Sequence, residues 1–117
     1  MTQDLEYLIN EAKSLGTDIS IDGGFAKVAS DHTTFDYYFP FTGNCADEFI
    51  DEFRYFVKSP TGQAYFDELI NLAYNDADDD KTVIHARFDN ETEELIGALE
   101  EIRDEAQALI SQGLIEQ

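Results

Sequence analysis

Apolar residues recur over the first fifteen positions at the spacing of one helical face. Leu5, Leu8, Ile9, Ala12 and Leu15 fall on that face, which predicts a helix from Thr2 to Leu15. Thr2 is a suitable N-cap, and Gly16 stands where a left-handed C-cap belongs. The period then changes. "TDISI" and "FAKVAS" alternate polar and apolar positions, with Phe25 and Val28 prominent in the second, and "DGG" between them is a hairpin turn signal. "TTFDYYFPF" adds β-branched and aromatic residues, and Pro40 marks an edge or strand end. Three strands in an antiparallel meander follow from this pattern.

Helical spacing returns at Asn44, a cap residue, with Asp47 in the third helical position. Phe49, Ile50, Phe53, Phe56 and Val57 form the apolar stripe. Ser59-Pro60 ends this helix and opens a third, carried by Tyr65, Phe66, Leu69, Ile70, Ala73 and Tyr74. "TVIHARF" alternates again and predicts a fourth strand. "NETE", Asn90 to Glu93, has the form of a capping box and predicts the start of a last helix. Its buried face is Leu95, Ile96, Leu99, Ile102, Ala106, Leu109 and Ile110, and Gly113 ends it. The pattern predicts one α+β domain over residues 1–117: a small, mostly antiparallel sheet of about four strands packed with about four helices.

Composition supports a packed core, since 43% of the 117 residues are hydrophobic and 13% aromatic. Acidity here therefore does not imply disorder. No apolar run is long enough to span a bilayer, and "MTQDLEYLIN" lacks the basic start and apolar centre of a signal peptide. Cys45, the single cysteine, has no intrachain partner and fits a reducing compartment. A cytoplasmic protein is expected. The net charge of −19, from 26 acids and 7 Lys or Arg, changes the picture most. It repels nucleic acid and anionic membranes and attracts basic proteins and cations. Four Lys against fourteen Asp also suits a protein adapted to high salt.

Specific chemistry finds little support. In "NDADDDKT", Asp76, Asp78 and Asp80 could occupy positions 1, 3 and 5 of a calcium loop, but Lys81 replaces the required glycine and Arg87 the bidentate glutamate. His32, His85 and Cys45 lack metal-ligand spacing, and a lone cysteine at a helix start does not make a nucleophile. No glycine-rich phosphate loop is present, because "SPTG" lacks the lysine and the preceding strand. Neither a cofactor nor an enzymatic activity is expected.

The placement of the acids is more informative. Asp47 and Asp51 are four residues apart, as are Glu48 and Glu52. Glu100–Asp104 and Glu101–Glu105 repeat the spacing, with Glu93 and Glu94 two turns earlier. Each like-charge pair at this spacing costs about 0.2–0.5 kcal/mol. The only cations on the polar faces of these two predicted helices are Arg54, Lys58 and Arg103. A stability cost without local compensation is a common mark of a functional surface. Duplex DNA carries one charge per about 1.7 Å of axis, so nineteen charges correspond to roughly ten base pairs. Carboxylates so placed can engage the lysines and arginines that otherwise hold phosphates.

With this charge and the stretch "DISIDGGFAKVASDHTTFDYYFPFTGNCADEFIDEFRYF", the chain resembles the DNA-mimic proteins, nearest to the neisserial type that binds the histone-like protein HU. The resemblance implies a monomer that occupies the DNA-binding face of HU, competes with DNA and affects nucleoid packaging. No motif defines the family, so the candidate partner-binding acids come from this chain's own clusters. They are Asp47, Glu48, Asp51, Glu52, Asp76, Asp78, Asp79, Asp80, Glu93, Glu94, Glu100, Glu101, Asp104 and Glu105. An inhibitor of a restriction or CRISPR nuclease and a generic salt-adapted domain are the alternatives.

Overall fold

The computed structural model describes residues 1–33, 35–73 and 81–115. Helix α1 (Gln3–Ser14) leads into strands β1 (Thr17–Asp22), β2 (Phe25–Ser30) and β3 (Tyr37–Pro40). Helices α2 (Ala46–Lys58), α3 (Pro60–Ala73) and α4 (Lys81–Ser111) follow. The fold is α+β, with the described strands in one antiparallel sheet of order β1-β2-β3.

Gly23 and Gly24 turn the hairpin. Both have positive φ, 60° and 82°, which is the two-residue turn that matches strand twist and holds Asp22 opposite Phe25. That register aims Thr17, Ile19, Ala26, Val28, Tyr37 and Phe39 at the core. Phe25 lies on the other face, because residues three apart on a strand point opposite ways. There it stacks on Tyr38 with ring centroids 5.1 Å apart.

The helices cover one face of the sheet. Helix α1 packs on β1, α2 and α4, and α2 packs on β3. Aromatic rings fill the layer between: Tyr37 meets Phe53 and Phe88, while Phe39 meets Phe49, Phe53 and Phe56. Phe66 of α3 stacks on Phe88 with centroids 3.8 Å apart. One hydrophobic cluster joins all these elements.

Two expectations about helix starts need revision. The "TVIHARF" segment is not a strand but the first two turns of α4. Ile84, Phe88, Thr92, Leu95, Ile96 and Leu99 are buried in one helical register that runs unbroken through "NETE". Asn90 therefore lies mid-helix, exposed, and caps nothing; the buried residue of this segment is Thr92. Its hydroxyl lies 3.0 Å from the Tyr37 hydroxyl. At α2 the cap residue is Cys45 rather than Asn44, which places Asp47 at the second helical position. A carboxylate oxygen of Asp4, from α1, accepts from the Ala46 N–H at 3.4 Å. Ser59 does cap α3 as expected, its hydroxyl accepting from the Gly62 N–H at 3.0 Å.

Candidate functional site: an acidic helix pair

Helix α2 lies antiparallel beside α4, and cross-helix contacts set their register. Asp47, in the first turn of α2, accepts from Arg103 at 3.2 Å and from Gln107 at 3.5 Å. Two turns along α2, Arg54 donates to Glu100 at 2.6 Å. Beyond them Lys58 shares a surface hollow with Asp89 and Glu93. One seam thus gathers Asp47 with Asp89, Glu93, Glu100 and Asp104, over about 22 Å of α4 at 1.5 Å per residue.

The outward surface of α4 carries its acids in two parallel rows. Glu93, Glu100 and Asp104 form one, and Glu94, Glu101 and Glu105 the other. Each row steps by seven residues and then four, about 10 Å and 6 Å along the axis. The rows are offset by one residue, which turns them about 100° apart around the helix. Phosphates of one DNA strand advance 3.4 Å along the axis, so each row matches about every second or third phosphate. All six side chains are exposed except Glu100, which is half-buried.

The two rows differ in their partners. Arg103 serves the first: it contacts Asp104 at 3.0 Å and Glu100 at 3.8 Å besides Asp47. Partial desolvation works to lower the Arg103 pKa, but the bond to Asp104 and the charges of Asp104, Asp47 and Glu100 outweigh it and raise the pKa. The like-charge crowding is therefore compensated here, within α4 through Glu100 and Asp104 and across the helix pair through Asp47. In the second row Glu105 accepts from the Tyr7 hydroxyl of α1 at 2.8 Å. That bond first, with desolvation and the charges of Glu105 and Glu11, pushes the Tyr7 pKa up to about 12. Among the described residues no Lys or Arg pairs with Glu94 or Glu101.

Of the other candidate acids, Glu48, Asp51 and Glu52 are exposed on α2, and Glu48 accepts from the Cys45 thiol at 3.3 Å. Burial, then the Glu48 and Asp4 carboxylates, raise the pKa of that thiol. Asp76, Asp78, Asp79 and Asp80 lie outside the described residues.

Of the histidines, His32 borders a groove that Glu94 also lines, and His85 faces α3. His32 Nε2 lies 2.8 Å from the Leu15 carbonyl, and His85 lies 3.2 Å from Asp67. Among the described residues no three His, Cys, Asp or Glu side chains converge to hold a metal ion, and no helix is long and apolar enough to cross a membrane. No family model, curated protein or solved structure matches the chain.

Proposed function

We propose that this chain is a DNA mimic that occupies the DNA-binding face of a basic DNA-binding protein, with histone-like HU the first candidate. The observation that carries this reading is the pair of equally stepped carboxylate rows on α4, with the acids of α2 alongside. A partner whose lysines and arginines are spaced for phosphates can bond these carboxylates without adjustment of its own structure. The protein then acts as a monomer and displaces DNA, and through HU it alters nucleoid packaging. Restriction and CRISPR nucleases present the same cation chemistry and belong in the same assay.

A second reading has its own support. Asp18, Asp22, Asp31, Asp36, Asp67 and Glu68 are exposed on the strands, their loops and α3, outside the α2–α4 pair. An acidic surface spread this widely also suits a domain adapted to high salt. Competition separates the two. Labelled duplex bound to HU is titrated with the protein and followed by fluorescence anisotropy. Displacement is expected, weakening steeply with salt. Combined Glu94→Gln, Glu101→Gln and Glu105→Gln replacement should reduce it while the protein stays folded by circular dichroism. A parent protein that displaces no duplex from HU or from a nuclease leaves the salt-adapted reading in place.

A further inference from the structure

The second carboxylate row has an apolar gap. Between Glu94 and Glu101, on the same stripe of α4, stands the exposed Ala98. Beside it opens a groove of about 310 Å³ between α4 and the end of α1. Its floor is Leu95, Leu99 and Ile102, and Leu15 forms a wall while remaining 57% exposed. Glu91 and Glu94 line the same groove. Thr17, His32 and Thr33 close the far side, so the apolar slot is bordered by carboxylates along its α4 edge.

Opened DNA offers the same combination. Proteins that kink the minor groove, HU among them, insert an apolar side chain between base steps while their cations hold the flanking phosphates. We infer that the α1–α4 groove receives the apolar wedge of such a protein, with Glu94 at its rim and Glu101, beyond Ala98 on the same stripe of α4, taking the places of the flanking phosphates. This deepens the DNA-mimic reading and rests on it. It commits the partner to the class that deforms DNA by wedge insertion, because a protein that reads only the phosphate backbone has no use for the groove. The carboxylates supply steering and salt-dependent attraction, and the groove supplies salt-independent apolar burial.

The test uses the full chain and HU. Ala98→Phe fills the slot and Leu15→Ser removes its apolar wall, and neither position is in the core. Both variants should compete with DNA about tenfold less well than the parent, as loss of one buried apolar side chain predicts. Their dependence on salt should match the parent's, whereas replacing Glu94, Glu101 and Glu105 flattens it. An HU variant with its intercalating side chain changed to Gly should lose a similar factor against the parent but little against Ala98→Phe. That comparison decides the matter even where one groove variant folds poorly. Equal competition by the parent and both groove variants overturns the proposal and leaves the DNA-mimic reading intact. A parent that does not bind HU or any other DNA-bending protein overturns both. A dimer of the free protein that Ala98→Phe dissolves assigns the groove to a second copy and also overturns the proposal.

Discussion

Replacing Arg103 with Gln should separate stability from binding. The guanidinium is held by Asp47 at 3.2 Å, Asp104 at 3.0 Å and Glu100 at 3.8 Å. Its side chain is only 21% exposed, but Asp47 and Asp104 are more than half exposed, so solvent screens each pair. An exposed ion pair contributes about 0.2–1 kcal/mol, and the contact at 3.8 Å falls at the low end. The sum is about 1 kcal/mol of lost stability, or roughly 4 °C in the thermal midpoint for a chain of this length. Because the loss is electrostatic, the gap between parent and variant should narrow from 0.05 to 1 M salt, where the Debye length shrinks to about 3 Å. Binding should move the other way. The variant gains one unit of net negative charge and releases Asp47 and Asp104 toward a partner's cations, while Glu100 stays bonded to Arg54. Thermal unfolding at both salt concentrations and competition with duplex for HU measure the two effects. A midpoint loss that salt does not change would show that Arg103 acts through its packed alkyl chain, and the electrostatic account would fail. Tenfold weaker competition would show that the carboxylates serve only when Arg103 fixes them, and the predicted gain in binding would be refuted.

Three other outcomes test the fold. Gly62→Ala should destabilise by more than about 2 kcal/mol, because an added Cβ would stand 1.9 Å from the Phe56 carbonyl oxygen at the α2–α3 junction; chemical denaturation measures it. Tyr37→Phe and Thr92→Val should each cost about 1 kcal/mol, and the double variant less than their sum, in a double-mutant cycle by urea unfolding. The bond between Tyr7 and Glu105 holds the neutral phenol, so its contribution is complete below the ordinary tyrosine pKa of 10 and is lost as pH rises through about 12. Burial also raises the pKa of Tyr37 and Tyr65, so titration of phenolate absorbance should show several late tyrosines and lose one of them in Tyr7→Phe, and the stability gap between the two proteins should close as pH rises through about 12.

Most of the fold is legible in the sequence because its signals are local. The Leu5, Leu8 and Ala12 stripe, the paired glycines at 23 and 24, and Ser59-Pro60 each act within a few residues, and each lies where the pattern places it. The first turns of α4 mislead for the same reason. Ile84, Ala86 and Phe88 alternate with His85 and Arg87 like a strand, yet Ile84 and Phe88 continue the helical period of the residues that follow. Asn90 and Glu93 have the form of a capping box, but Thr92 between them is buried against Tyr37, 55 positions away, and the helix runs on through it. Asp4 assists the start of α2 from 42 positions away, which no local pattern can reveal. The acidic clusters were visible as i,i+4 pairs. The cross-helix part of their compensation, Arg54 to Glu100 and Arg103 to Asp47, was not, since it depends on α2 and α4 lying side by side. The groove behind Ala98 is hidden likewise, because its walls come from opposite ends of the chain.

The pairing of α1 with α4 also bears on synthesis. Leu5, Leu8 and Ala12 complete their burial only when α4 arrives, and Tyr7 waits for Glu105, 98 residues later. At a translation rate of about 5–20 residues per second, the apolar face of α1 stays incompletely covered for roughly 5–20 s outside the ribosome. During that interval the chain exposes the kind of surface on which nascent proteins aggregate. The segment made while α1 waits, from Ala46 to Lys58, already carries Asp47, Glu48, Asp51 and Glu52, so two incomplete chains on one polysome repel each other. The same charge that would serve as imitation phosphate thus protects the protein before it has a fold to present.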